Sequence, residues 1–266
     1  DVDGSHIKGL FMNFIETKWP SLLKLNFIIS LVTPIIKATH KKEIISFYTL
    51  TDYENWKNDA DRSKWSIKYY KGLGTSTSKE SKEYFSNIKE NTISYNITDE
   101  CSDKISLAFD KKLSNDRKEW LRHFDKNTII ERNEKNISYS DFIDKELIHF
   151  SNYDNERSIP SIMDGLKPSQ RKILFSAIKK GLKHEIKVAQ FSGYVSEHSA
   201  YHHGEMSLQG AIISMAQDFV GSNNINLLEP IGQFGTRLQG GKDHASPRYI
   251  FTKLNELTHL IFKKED

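Results

Sequence analysis

Arg248 and Tyr249 stand side by side in GGKDHASPRYIF, residues 240–251. A phenol beside a guanidinium can do phosphate chemistry: the arginine holds the anion and the phenol oxygen attacks phosphorus. The pair also suits an ordinary setting, because tyrosine is common in strands and arginine on surfaces. A phenol ionises near about pH 10, so a tyrosine nucleophile needs cations and a proton acceptor close by. The surrounding run is too polar and too glycine-rich for a core. It reads as a loop running into a strand.

Other groups raise similar choices. Asp1 and Asp3 lie two apart, and in an extended chain such residues point to one side. Two hard carboxylates there suit Mg²⁺, and they equally suit the free N–H groups of a helix start. His202 and His203 in AYHHGEM precede a helical pattern. Adjacent histidines do not easily ligate one ion and no third soft ligand is near, which argues against zinc. A contact to phosphate or to a leaving oxygen is the functional reading, and a capping turn the structural one. NERSIPSIMDGLKPSQRK (155–172) gathers Arg157, Asp164, Lys167 and Arg171. Arg171 falls at the edge of an apolar helix face, where a half-buried guanidinium wants an anion from the protein or from a ligand. Residues 167–187 hold seven basic residues, Lys172 and Lys179 among them, against the single acid Glu185. Such a run is either a solvated helix face or a surface that tracks phosphates. KYYKGLGTS (68–76) lacks the full spacing of a phosphate loop.

The elements that would carry these groups follow from periodicity. Residues 5–17 place Ile7, Leu10, Phe11, Phe14 and Ile15 at helical spacing, with Ser5 as N-cap. NFIISLVTPIIKAT and EIISFYTL are β-rich runs joined by the turn HKKE. TDYENWKND opens on a Thr-Asp cap and predicts a short helix, and WSIKYY predicts a strand. Residues 78–124 read as helices, with surface loop around 88–105, and 125–140 is polar and weakly periodic. In KPSQRKILFSAIKKG, Pro168 suits a first helical turn and Gly181 a helix end. Leu174, Ala177, Ile178 and Leu182 form its apolar face, with Lys172, Ser176 and Lys179 pointing away. IKVAQFSGYVSEH and EMSLQGAIISMAQDFV predict two more helices. Gly232, Gly235, Gly240 and Gly241 then lead into the strand RYIFTKL. Three helices followed by a glycine-rich hairpin is the pattern of a winged helix, with Tyr249 on the wing.

The bulk numbers bound the answer. The chain has 266 residues, a formal net charge of +3 and one cysteine, Cys101. That is enough for two domains with real cores, and it excludes an intrachain disulfide or a cysteine zinc cluster. The longest apolar run, LNFIISLVTPII, is too short to span a bilayer, so no membrane association is expected. DVDGSHIKGL is not a secretion or transit signal and reads as the middle of something, with sequence expected upstream.

DVDGSHIKGL, KYYKGLGTS, DRKEWL, RSIPSIMDGLKPSQRK, YVSEHSAYHHGE, FVGSNN, PIGQFGTRLQGGKD and SPRYIFTKLN occur in one order. In that order they resemble the type IIA DNA topoisomerases, closest to the eukaryotic topoisomerase II form. The resemblance implies an α/β plus α+β chain. Its parts would be the C-terminal part of a Toprim α/β domain with extension (1–124), a helical linker (125–148) and a winged-helix DNA-cleavage domain (149–266). It implies that Tyr249 joins a 5′ phosphate of double-stranded DNA while Arg248 steadies that phosphate. It sets Arg157 and His203 among the catalytic groups, and Asp164, Lys167, Arg171, Lys172, Lys179 and His202 along the DNA. Asp1 and Asp3 match the Toprim acids that hold Mg²⁺. The family carries Asp-x-Asp-x-Asp, and this chain begins at the second Asp, so the site is incomplete. An ATP-binding domain upstream, a homodimer and a nuclear location are also implied.

Three rivals remain open on the sequence: a winged-helix DNA binder without chemistry, a Toprim nuclease or primase using metal and water, and an inactive homologue. The nuclease reading uses Asp1 and Asp3 but leaves SPRY and YHHGE idle.

Overall fold

The computed structural model describes residues 2–59, 64–70, 72–130, 135–201 and 203–263. The chain divides into two compact units, Asp1–Asp154 and Asn155–Asp266.

The first unit opens on helix α1, Val2–Lys18. Asp3 therefore lies in a helical first turn and not on an extended strand; Asp1, the other half of the expected pair, lies outside the described residues. Ser5 is not the cap. It is buried inside the helix and donates to Glu146 Oε1 at 2.7 Å. The small residues decide which face goes inward. A Cβ on Gly9 would meet Phe109 at 2.8 Å and Leu147 at 3.2 Å, so the backbone itself packs there. Met12 and Ile15 follow it inside, while Ile7, Leu10, Phe11 and Phe14, whose spacing marked the helix, stay exposed.

Helix α2, Pro20–Leu23, precedes β1, Ile29–Leu31. Strands β2, Ile36–His40, and β3, Glu43–Phe47, form the expected hairpin, turning at Lys41 with φ +56°. Helix α3, Leu50–Asp59, starts earlier than TDYENWKND suggested, because Thr49 is the residue whose Oγ1 accepts from the Asp52 N–H at 3.1 Å. Strand β4, Ser66–Tyr69, completes a sheet of order β3-β2-β4. After α4, Ser78–Ser86, comes a strand in the stretch read as surface loop between helices: β5, Thr92–Asn96. Helices α5, Cys101–Phe109, and α6, Ser114–Arg122, follow, then β6, Asn136–Ser138. Strand β5 is central in the sheet β1-β5-β6, antiparallel to β1 and parallel to β6. Helix α7, Tyr139–Phe142, runs through a wider π turn, Ile143–Leu147, into α8, Ile148–Ser158.

These last elements overturn two expectations. Residues 88–105 are not only surface loop, since Tyr95, Cys101 and Ile105 are core. Residues 125–148 are not a bare linker either: Ile137, Tyr139, Phe142, Ile143 and Leu147 are buried in the same cluster. Their polar neighbours hid the apolar half, which is shared between a three-residue strand, a four-residue helix and a π turn whose wider spacing breaks the α-helical period.

KYYKGLGTS is organised around one carboxylate. Glu80 closes a capping box with Thr77 at the start of α4 and accepts from Lys68 Nζ (2.9 Å) and from the Tyr70 hydroxyl. Lys37 Nζ stands 3.8 Å away. Desolvation pushes the Glu80 pKa up, but the hydrogen bonds from Tyr70, Thr77 and Lys68 outweigh it and hold the value at about 2. A depressed carboxylate stabilises the fold above its unfolded pKa, and that stability is lost as pH falls toward 2. Glu80→Gln is therefore expected to lower the Tm at pH 7, with the gap to the parent closing between about pH 4.5 and about pH 2. Thermal melts across that range check it. A gap that does not change with pH would mean the charge of Glu80 is not what holds this corner.

The second unit packs three helices on a small sheet. Helix α9, Pro168–Lys180, ends at Gly181 with φ +62°, as expected. Strand β7, Ile186–Lys187, leads directly into α10, Val188–His198, and α11 spans Glu205–Ala216. Strands β8, Leu228–Ile231, and β9, Phe251–Leu254, join β7 in the antiparallel order β7-β9-β8, and α12, Glu256–Ile261, closes the unit. One core unites them: Leu174 and Ala177 of α9, Phe191 and Val195 of α10, Leu208 and Ile212 of α11, with Leu228, Ile250 and Leu254. Ser176 is fully buried, contrary to expectation. Both α10 and α11 pack against α9, so its inward face is wider than a single apolar stripe. Among the described residues no helix is long and apolar enough to cross a membrane.

Candidate nucleic-acid interface

Tyr249 sits in a tight turn just before β9, its N–H donating to Ser246 O at 2.9 Å. The ring is 69% exposed. The Arg248 guanidinium carbon lies 5.6 Å from the ring centroid. The turn is fastened on both sides by the start of α10. Ala189 N–H donates to Pro247 O (3.1 Å) and Val188 N–H to Ile250 O (3.0 Å). First-turn N–H groups have no partner within their own helix, so they are free for this use. Buried Ile250 anchors the next residue in the core. The exposed Arg–Tyr pair thus stands on a backbone whose neighbours cannot drift.

The loop before it, between β8 and β9, folds back on itself. Ala245 N–H donates to Gln233 O (2.9 Å) and Gly241 N–H to Thr236 O (2.9 Å). Asp243 accepts from the Thr236 N–H and from its hydroxyl, both at 2.8 Å. The N–H bond is the main influence holding the Asp243 carboxyl below its usual pKa. Buried Gln217, at the end of α11, donates from Nε2 to Phe234 O (2.8 Å) and Gly241 O (3.2 Å). Sequence reasoning missed Gln217, Thr236 and Asp243. The readable signal was glycine: Gly235 (φ +93°) and Gly241 (φ +78°) stand where backbones meet.

The remaining candidates fall on or beside α9. Arg171 makes a two-pronged bond with Asp164, Nη1 to Oδ2 at 2.7 Å and Nη2 to Oδ1 at 2.9 Å. That guanidinium, helped by the Leu166 N–H, lowers the Asp164 carboxyl. The expected half-buried arginine is corrected: its side chain is 52% exposed, and its anion is supplied by the protein. Lys167 takes the position before α9, its N–H donating to Gln170 Oε1 at 2.9 Å. Lys172 does not simply point away. Its Nζ donates to Ala200 O at 2.8 Å, bracing a residue with φ +49°. Lys179 is exposed, with Nζ 5.7 Å from the Phe175 ring centroid. His203 is exposed, its ring edge-on to Tyr201 at 5.4 Å. Arg157 lies in the last turn of α8, and His202 lies outside the described residues.

Mg²⁺ would need hard oxygen ligands gathered at one place. Among the described residues no group of three or more His, Cys, Asp or Glu could hold an ion. Asp3 alone of the expected pair can be described, so the residues in view do not fit a complete site, and no step below passes through a metal.

Known proteins match this arrangement along both units. Residues 157–266 match the DNA gyrase/topoisomerase IV family model, and residues 31–155 match that of the C-terminal associated domain of TOPRIM. Two mixed α/β units, the second carrying an exposed arginine–tyrosine turn before its last strand, thus define a segment of a DNA topoisomerase core. The chain is 55% identical to DNA topoisomerase 2-alpha of Cricetulus griseus, 54% to that of Homo sapiens and 55% to DNA topoisomerase 2 of Bombyx mori. Each match covers 100% of this chain but only 18% of the relative. The solved Plasmodium falciparum topoisomerase II DNA-binding, cleavage and re-ligation domain superposes with a TM-score of 0.82 at 55% identity, over 99% of this chain and 36% of that one. The chain belongs to the type IIA DNA topoisomerases, in their eukaryotic topoisomerase II form.

Proposed function

We propose that this chain is the part of a type II DNA topoisomerase that opens and reseals double-stranded DNA for strand passage. The single observation that carries the reading is the exposed Tyr249 on a turn fastened by α10, with Arg248 against its ring. The Tyr249 oxygen attacks a backbone phosphorus, a tyrosyl–phosphate bond forms to the 5′ side, and the 3′ oxygen leaves carrying a proton. The reverse attack by that 3′ oxygen restores the strand. One phosphate ester replaces another in each direction, so resealing needs no separate energy source. Arg248 steadies the phosphate, since a guanidinium holds two oxygens in a planar fork. Arg157 and His203 are carried over from the family resemblance as further contacts to the scissile phosphate.

In this reading the second unit is a winged helix. Helices α9, α10 and α11 form its trihelical part, and the β8–β9 loop bearing Tyr249 is the wing. The first unit is the Toprim-associated part. The partner is a second copy cutting the opposite strand, the location is nuclear, and Mg²⁺ and ATP act at sites the family completes elsewhere. The test is denaturing electrophoresis of the full-length protein incubated with DNA. DNA should be found covalently attached at Tyr249. Attachment at another residue, or none, would overturn the reading.

The two lysines of α9 should separate in this reading. Lys179 is free to neutralise phosphate, so Lys179→Ala should flatten the log–log salt dependence of binding by about 0.9 with an unchanged Tm. Lys172 braces the Ala200 turn before α11, so Lys172→Ala should lower the Tm as well. Binding to one duplex at several salt concentrations, with melts alongside, distinguishes them. Identical slopes for the parent and the Lys179 variant would count against DNA lying along this face.

A further inference from the structure

Two motifs, FVGSNN and PIGQFGTRLQGGKD, contribute nothing to the chemistry above, yet they meet at one residue, the first at its main chain and the second at its side chain. Gln217 ends α11, and its carbonyl accepts from Ser222 Oγ (3.0 Å) and Asn223 Nδ2 (2.9 Å). Both hydrogens of its side-chain amide go to the other motif, to Phe234 O and Gly241 O. The fit leaves no slack. A Cβ on Gly241 would stand 2.3 Å from Gln217 Nε2.

We infer that Gln217 is a positioning residue for strand cleavage, setting where the Tyr249 turn stands relative to the start of α11. The inference rests on the reading of Tyr249 as nucleophile. Gln217 holds the loop arms near 234 and 241, the Ala245–Gln233 bond continues that closure, and Tyr249 follows four residues later. The start of α10 fixes the far side of the turn. At its other end α11 begins at Glu205, two residues after His203. A helix is stiff along its axis, so the bond from Gln217 to the loop transmits the position of one end of α11 to the nucleophile. Misplacing reacting atoms by an ångström costs far more rate than affinity.

The experiment uses the full-length protein, well below its melting point, and reads single-turnover cleavage, DNA affinity and Tm. Gln217→Leu leaves both loop carbonyls without their donor. Cleavage should fall by roughly tenfold to a hundredfold, with DNA affinity within about twofold of the parent. Ile212→Val, in the buried face of the same helix, is the control for stability alone. It should lower the Tm and cleave as the parent does. Gln217→Glu preserves size, and it carries the test should the leucine variant not fold. Its carboxylate cannot donate to a carbonyl, whereas the protonated acid donates once. Its cleavage relative to the parent should therefore rise as pH falls from about 8 to about 6. A leucine variant that cleaves at the parental rate, a glutamate variant whose ratio ignores pH, or an equal cleavage loss in Ile212→Val would each overturn the role. A parent that forms no covalent complex at all is a different result, and it would remove the nucleophile reading beneath.

Discussion

Tyr249→Phe is expected to abolish covalent attachment to DNA while leaving DNA affinity within about twofold of the parent, a change under about half a kcal/mol. The variant removes one oxygen atom from a ring that is 69% exposed. The turn that carries the ring is built from backbone bonds at Ser246, Pro247, Val188, Ala189 and Ile250, none of which uses the phenol. The Arg248 guanidinium keeps an aromatic face to lie against, so the local charge presented to phosphate is unchanged. What disappears is the only atom of this side chain that can form a bond to phosphorus. Binding and chemistry should come apart cleanly in consequence. Nitrocellulose-filter or anisotropy binding would report the first, and denaturing gels the second. Covalent complexes at parental yield in the phenylalanine variant would move the nucleophile to another residue. Loss of binding together with cleavage would instead make the hydroxyl a DNA contact.

The largest structural effect is expected at Gly235. With φ +93° it occupies a conformation that side-chain-bearing residues rarely adopt, and an added Cβ would meet Gly241 O at 2.5 Å and its Cα at 2.6 Å. Both obstacles are backbone, held in turn by Gln217 and by the Gly241–Thr236 bond, so they cannot swing aside as a side chain tip would. Strain alone costs about 1–3 kcal/mol, and the collision adds to it, so Gly235→Ala should exceed about 3 kcal/mol. For a unit of this size that lowers the Tm by about 10 °C or more. Gly193 in α10 is the comparison: a Cβ there meets nothing within 4 Å and its backbone is helical. Gly193→Ala should be neutral or stabilising by about 0.5–1 kcal/mol. Calorimetry of the two variants decides it. Equal melting points would mean that the β8–β9 loop relaxes around the new methyl at little cost.

These two positions also mark what could be read in advance. The basic α9 and the three-helix pattern of 168–216 were legible because each carries its own local signal, a period, a cap or a proline at a first turn, whereas the SPRY run was legible only through its resemblance to the family. Gly181 ended α9 as its left-handed geometry requires, and HKKE turned a hairpin. Arg171 and Lys172 were legible as residues but not as contacts. The Asp164 carboxylate that holds Arg171 lies seven residues away, and the Ala200 carbonyl that holds Lys172 lies twenty-eight away. No local pattern records such pairings.

The amino-acid sequence by itself named the chemistry available through residue types, a tyrosine after an arginine, paired histidines and a basic helix, and pointed to the family through the resemblance of eight motifs in one order. Only the tertiary structure decided what each described group touches. Burial of α1 follows the backbone approach at Gly9 and not the apolar stripe. Strand β5 and the 136–148 segment became core because partners distant in sequence cover them. The turn bearing Tyr249 is fixed because α10, far earlier in the chain, turns its first N–H groups onto the carbonyls on either side of it. Hydrogen bonds and close packing depend on distances in space, and a one-dimensional pattern carries those only between near neighbours.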